Sequence, residues 1–318
     1  MNVLFLSQDS SVLGVAKRIE NEGHVVNVLM RRPTQAGQGI VNVKVMAGYT
    51  TINVLAYIKK VSPDLVIIDQ AGLSTIATHI RSLHIPVVGG NEVVEALELD
   101  EEYCATILQH FDVAEGVEGG VWCNGKECFC YYQSDTYDRM CNDDVGPVIG
   151  CMGTLISFVQ PQEGVGAELK KLEPFLIKAN YRGHLGLRNG KVTAGFSYDS
   201  FYALAELLNF KLLDLFTSVA QSTPLPSHPS TSVGCSIRVI SPAIGSVVGG
   251  LSEPALKHTW LKDVACHEDQ YSVVGQNVLS VSALGDKHSA VGRCYRSIRL
   301  LEMVDAIYRT DIGRQRGA

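Results

Sequence analysis

The sequence predicts an α/β protein in three parts. These are an N-terminal doubly wound domain on a parallel sheet (1–90), an α+β core (91–222) and a β-rich C-terminal segment closing on a helix (223–318). Three observations carry that reading. Apolar strand-like runs alternate with helix-period segments four times within the first 90 residues. Asn-Gly dipeptides at Asn124-Gly125 and Asn189-Gly190 mark two hairpins in the middle of the chain. Beyond a Pro/Ser-rich connector, STPLPSHPSTS (222–232), the runs are short and rich in β-branched residues.

MNVLFLS (1–7) reads as a buried strand. SSVLGVAKRIENEG (10–23) reads as a helix capped by Ser10 or Ser11, with Gly23 past its end. HVVNVLM (24–30) is the next strand and TTINVLAYIKKVSP (50–63) the next helix. DLVIID (64–69) is a continuous apolar strand of the kind covered on both faces. LSTIATHIRSLHI (73–85) is a helix and PVVGG (86–90) a short strand. NEVVEALELDEEYCATILQHF (91–111) reads as one long acidic helix capped by Asn91. After a glycine-rich break, VWCNGKECFCYYQ (121–133) is a hairpin, followed by a strand at TLISFVQ (154–160). LKKLEPFLIKAN (169–180) and SFYALAELLNFKLLDLFTSVA (200–220) read as single helices on either side of the hairpin HLGLRNGKVTAGF (184–196). SIRVISPAIGSVV (236–248), YSVVG (271–275) and NVLSVSAL (277–284) are strands, and the helix SAVGRCYRSIRLLEMVDAI (289–307) closes the chain.

Composition narrows the function class. A hydrophobic fraction of 46% supports full cores and argues against disorder. The net charge of −6 provides no electrostatic footprint for nucleic acid, although a local basic groove stays compatible with it. No run approaches the ~18 apolar residues of a membrane span, and Met1–Leu6 is too short for a signal core. These features predict a soluble cytoplasmic protein. Nine cysteines, an odd count without a secretory signal, predict reduced thiols. The spacing of Cys123, Cys128 and Cys130 lacks paired C-x2-C knuckles, so a hairpin with small buried thiols is favoured over a metal site. The histidines show no metal spacing, and no G-x-S-x-G nucleophile motif occurs.

One stretch, YDRMCNDDVGPVIGCMGT (137–154), fits neither helix nor strand. It is either a connector with Asx and Gly turns or a ligand loop. As a ligand loop, Arg139 is the anion partner and Asp144 accepts from an amine, while backbone N–H groups from Gly150 to Gly153 form a cradle. Arg182 and Arg188 flank the second hairpin, as surface charges or as anion contacts.

Four local matches, in order along the chain, make it resemble the phosphoribosylamine–glycine ligases (glycinamide ribonucleotide synthetases), ATP-grasp enzymes of purine synthesis. NVLSVSALGD (277–286), Tyr295 and YRTDIG (308–313) are similar to that family's ending. PDLVIID, IPVVGG and ALE (63–98) are similar to its P-D-L-V-V-x-G-P-E, I-P-V-F-G-P and L-E. In the loop, Arg139, Asp144, Gly146, Pro147, Gly150, Met152 and Gly153 fit its D-x-K-R-x-x-D-x-D-x-G-P-N-T-G-G-M-G-A. YRGHLGL (181–187), which contains Arg182, resembles a shorter Y-x-G-x-L-Y-A-G-L.

The resemblance implies a pre-ATP-grasp-like first domain and an ATP-grasp-like core, but the departures bear on the chemistry. The family's lid, with its phosphate-binding lysines and glycine loop, is replaced by VAEGVEGGV (113–121), which supplies two acids and no lysine. The Glu and Asn that hold magnesium in the family give way to TAGFSYDSF (193–201), where Asp199 is the only carboxylate. The G-S-G-G-R-E-H loop becomes SQDSSVL (7–13), and Gly-Pro-Glu becomes Asp69-Gln70-Ala71. Binding of ATP and magnesium is therefore expected to be lost and no cofactor retained. The function expected is an ATP-independent transfer of an amino acid or amine to an activated phosphorylated nucleotide or nucleic-acid base. The alternatives are a non-catalytic sensor of a phosphoribosyl or amino-acid ligand, and a ligase with a remodelled ATP site.

Overall fold

The structure, a computed structural model, describes residues 1–46, 48–225 and 231–314. The middle of the Pro/Ser-rich connector, 226–230, lies outside the described residues.

The N-terminal part is β1 (Asn2–Ser7), α1 (Leu13–Asn21), β2 (Val25–Met30), β3 (Asn42–Val45), α2 (Thr51–Val61), β4 (Leu65–Ile68), α3 (Ser74–Ser82) and β5 (Val87–Val88). The strands form one parallel sheet in the order β3-β2-β1-β4-β5. The strand β3 is additional to the sequence reading. Its burial is partial and its run, NVKV, is short and interrupted by charge, so the apolar signal there is weak. The start of α1 also differs from expectation. Asp9, not Ser10 or Ser11, caps the preceding 3₁₀ turn by accepting from Ser11 N at 3.0 Å, while the Ser10 hydroxyl donates to Asp263.

The core follows as α4 (Glu92–Leu99), α5 (Glu101–His110), β6 (Glu118–Asn124), β7 (Cys128–Arg139), β8 (Val148–Phe158), α6 (Gly164–Lys171), α7 (Glu173–Lys178), β9 (Arg182–Arg188), β10 (Lys191–Thr193), α8 (Tyr198–Leu207) and α9 (Leu212–Gln221). Each of the three helices expected here as continuous is divided. Asp100 takes an extended conformation and caps α5 through Tyr103 N, so the capping preference of aspartate overrides the periodicity that runs through it. Pro174 sits in the first turn of α7, where its missing N–H costs nothing. Leu208 is extended and ends α8 before α9 begins.

The C-terminal part contributes β11 (Val233–Val239), β12 (Val247–Gly249), α10 (Glu253–Leu256), β13 (Thr259–Leu261), β14 (Val264–His267), β15 (Gln270–Val273), β16 (Leu279–Gly285), α11 (Lys287–Ile298) and β17 (Glu302–Met303). Three of its strands extend the sheet of the core, giving the order β10-β9-β6-β7-β8-β11-β16-β13. The others form a small sheet, β14-β15-β12-β17.

The main core lies between the two large sheets, where α8 and α9 pack. Trp122 from β6 meets Phe196, Phe201 and Phe216, and Phe196 stacks on Phe216 with centroids 5.7 Å apart. Aromatic packing of this kind contributes about 0.5–1.5 kcal/mol per pair beyond burial, and here it joins the parallel sheet to the antiparallel one. Cys123 and Cys128 face each other across the β6–β7 hairpin and are joined as a disulfide. This corrects the all-thiol expectation: the turn at Asn124-Gly125 brings the two into direct register. Among the described residues, no helix is long and apolar enough to cross a membrane.

Candidate functional site

The chain leaves β1 toward β2 and β3 on one side, then returns through α2 to β4 on the other. The strand order therefore reverses between β1 and β4. Open α/β sheets take ligands at such a point, beyond the carboxyl ends of the strands. Here Ser7 ends β1, and its hydroxyl donates to the Asp69 carboxylate just beyond β4. The Tyr198 hydroxyl, from the first turn of α8, donates to the same oxygen. Asp69 is 6% exposed, and among the described residues no cation pairs with it. Burial lifts its pKa to about 7 against the pull of the two hydroxyl donors, and nearby Asp9 adds to the lift. Tyr49 closes the floor by donating to the Ser7 and Leu29 carbonyls. Its own hydroxyl is pushed up first by burial and then by Asp69. Gln8 Oε1 and Gln70 Nε2, one residue further along each chain, are buried without a protein partner.

A second polar cluster lies one residue further along α8. Asp199 is buried and accepts from Arg238, from Lys262 Nζ at 2.8 Å and from Ser280 Oγ at 3.0 Å. Burial alone would lift its pKa, but the two cations hold it well below the usual carboxylate range. Lys262 is pulled down by burial and supported by Asp199, and Arg238 is raised by the same carboxylate against burial. Asp199 is held charged by the two cations, because its neutral form would leave them buried without a counter-charge. Magnesium held against phosphates needs free carboxylate oxygens. Both oxygens of Asp199 are committed to protein donors, so the residues here do not fit that ion.

The stretch 137–154 is not all loop: it comprises the end of β7, the hairpin tip at 140–147 and the first part of β8. Met140 N donates to the Pro147 carbonyl and Cys141 N to that of Val145, with Asp143 and Asp144 in left-handed conformations. Exposed Arg139 donates through Nη1 to the Gly146 carbonyl at 2.8 Å. The Asp144 carboxylate accepts from Arg309 at 2.7 Å, so it is an ion-pair partner inside the protein rather than a free amine acceptor. Gly150 is exposed at φ 97°, and its carbonyl faces Arg188. Met152 is fully buried, and Gly153 is laddered to Tyr137 of β7 and Ile237 of β11, inside strand β8. A Cβ on Gly153 would fall 2.8 Å from Ile312 Cδ1.

Two of the sequence motifs thus interlock. Asn142 bonds Thr310, Asp143 N bonds Asp311, Asp144 bonds Arg309, and Gly153 makes room for Ile312. Arg182 lies elsewhere. It donates to the Ala220 carbonyl and lines a cleft with Arg81, His84 and Asn91 that contains no residue of the loop. The sequence alone does not mark Ser7, Gln8, Asp69, Gln70 and Tyr198 as a site. The signal available was the replacement of Gly-Pro-Glu by Asp69-Gln70-Ala71, a gain of polar groups as well as a loss.

No protein-family model matches the chain, and no curated protein matches it. Solved structures do. Phosphoribosylamine–glycine ligase from Thermotoga maritima aligns over 98% of this chain and 100% of its own, with a TM-score of 0.64 at 14% identity. A protein described as glycinamide-RNase-transformylase T from Mycobacterium tuberculosis aligns over 95% and 100%, with a TM-score of 0.58 at 13% identity. Biotin carboxylase from Campylobacter jejuni, solved with a β,γ-ATP ligand, aligns over 96% and 92%, with a TM-score of 0.60 at 10% identity. The fold is therefore that of the ATP-grasp ligases and carboxylases. Its fold is similar, at low sequence identity, to that of phosphoribosylamine–glycine ligase.

Proposed function

We propose that the protein transfers an amino acid or amine, without ATP, onto a carbon already activated by phosphate or pyrophosphate in a nucleotide or a nucleic-acid base. The observation that carries this reading is the closure of Asp199 by Arg238 and Lys262. In a fold shared with ATP-dependent ligases, internal cations pair with Asp199, the only carboxylate in the segment 193–201 that corresponds to the magnesium ligands of the resembled family. A second support is the short connection between α5 and β6, residues 111–117, which contains no helix or strand and no lysine. With no acyl phosphate to make, the activation has to arrive on the other substrate.

The amine nitrogen attacks the activated carbon, forming C–N as C–O breaks. The phosphate or pyrophosphate leaves with the C–O electron pair, and one proton from the ammonium ends on it at neutral pH. Such a reaction asks the protein for positioning and for charge stabilisation of the departing anion. Exposed Arg139, at the rim of the β7–β8 hairpin, is the residue assigned to that anion.

The test is direct. Purified protein is incubated with a panel of amino acids and either a pyrophosphorylated nucleotide or an oligonucleotide carrying a pyrophosphorylated pyrimidine. Pyrophosphate release and the product's mass are measured. Release matched by the mass gain of one amino acid, unaffected by ATP, is expected. Strong thermal stabilisation by Mg·ATP with an ATP requirement for turnover would instead establish a ligase. Arg139→Ala with unchanged KM and turnover would remove that residue from the site.

A further inference from the structure

The edge where β1 and β4 end carries two buried polar atoms without protein partners. Leu6 pairs with Ile68 in the parallel ladder, so Ser7 and Asp69, then Gln8 and Gln70, follow as successive levels beyond it. The Ser7–Asp69 hydrogen bond shows that the register continues at least one step. At the next step an acceptor, Gln8 Oε1, and a donor, Gln70 Nε2, are both buried without a protein partner. Leaving a buried polar atom unpaired costs about 1–3 kcal/mol. Two such atoms therefore belong to the residues that follow Ser7 and Asp69, the latter a buried carboxyl that accepts from two neutral hydroxyls. Other buried carboxyls have protein partners of their own: Asp199 has two cations, Asp311 has Arg309, Glu206 has Arg18 and His258, and Glu95 accepts from the backbone N–H groups of Leu73 and Ser74. Asp69 is held by two hydroxyls, and it lies at the place where the topology opens a ligand crevice.

We propose that this edge seats the amine substrate as an α-amino acid. Its ammonium lies against Asp69 and Gln8 Oε1, and its carboxylate accepts from the Gln70 amide. The inference rests on the transfer reading and names which substrate is held where. A cation is the ligand that two acceptors select, and a donor beside them selects the anionic end of the same small molecule. Asp69 takes one proton from the ammonium to expose the nitrogen lone pair, and that proton passes on to the leaving phosphate. Ser7 and Tyr198 hold the carboxylate oxygen in place throughout. The charged and titratable groups facing Asp69 are Asp9 from the segment after β1, Tyr198 and Tyr202 from α8, and Tyr49, itself within reach of Arg31 after β2.

The experiment is titration calorimetry on the full chain with glycine, L-serine and L-lysine, and with methylamine and acetate as half-ligands, at pH 6, 7 and 8. At least one amino acid should bind. Its affinity should rise about tenfold from pH 6 to pH 8 as Asp69 ionises, given its pKa of about 7. Asp69→Asn should weaken it tenfold or more and flatten the pH dependence. Gln70→Leu should weaken the amino acid while leaving methylamine unchanged, which keeps the test open should Asp69→Asn not fold. Failure of every amino acid to bind wild type, or wild-type binding by a folded Asp69→Asn, overturns the inference. Amino-acid binding without transfer would count against the transfer reading alone. Transfer at the wild-type rate by Asp69→Asn would count against this site alone.

Discussion

Replacing Asp69 by Asn tests the electrostatics of the switch-point edge without any substrate. The carboxyl moves from an ordinary value of 3.8 to about 7 on folding, chiefly through burial. Because the folded pKa is raised, the folded state holds a proton that the unfolded chain releases. The contribution to stability is fully present below about pH 4 and is lost as pH rises toward 7. At 1.36 kcal/mol per tenfold, the difference between 3.8 and about 7 amounts to about 4 kcal/mol at pH 8. With the residue only 6% exposed, solvent screening removes little of it. Asn has nearly the same shape, and its single carbonyl oxygen can accept from both Ser7 and Tyr198, which already share one oxygen of Asp69. It carries no titrating proton. The variant should therefore gain on wild type steadily between pH 4 and pH 7, by up to about 4 kcal/mol, and hold that gain above. Denaturant melts at half-unit steps from pH 4.5 to 8.5 measure this. Parallel stability curves for the two proteins would refute the reasoning, since they would mean that Asp69 is ionised in the folded state at all these pH values.

Asp199→Asn leaves Lys262 and Arg238 buried without a counter-charge, and should cost about 3–5 kcal/mol in urea unfolding, more than Asp69→Asn at any pH. Arg309→Met separates the β7–β8 tip from the chain terminus by removing the bonds to Asp144 and Asp311; amide exchange at 140–147 should speed up while that at β1 and β4 is unchanged. Gly195→Ala places a Cβ 2.4 Å from the Asp69 carbonyl oxygen, which is backbone and cannot move aside, so a loss of about 1–3 kcal/mol is expected together with weakened amino-acid binding. Non-reducing peptide mapping should recover Cys123 and Cys128 in one linked fragment, with the other cysteines alkylated.

Much of the fold is legible in the chain because local rules act within a few residues. The buried runs of β1 and β4, the cap at Asn91 and the hairpin turn at Asn189-Gly190 were all readable for that reason. The long helices were read without their breaks because Asp100 and Leu208 interrupt apolar periodicity without changing it. The loop 137–154 was legible as unusual, but its chemistry was not. Asp144 finds its cation at Arg309, 165 residues away, and no local pattern encodes that pairing.

The sequence by itself determined the strand–helix alternation of the N-terminal part, the parallel character of the first sheet and the absence of a cation-rich segment between α5 and β6. These depend on side-chain period, turn chemistry and composition, each readable along the chain. Only the tertiary structure decided which carboxylates are neutralised and which are not. Asp199 and Asp69 are both single acids in apolar surroundings in the sequence. The fold delivers Arg238 and Lys262 to one, and to the other only the hydroxyls of Ser7 and Tyr198. In a low-dielectric interior the charge state of a carboxyl is set by what lies within a few ångströms, and for both residues those neighbours come from distant parts of the chain.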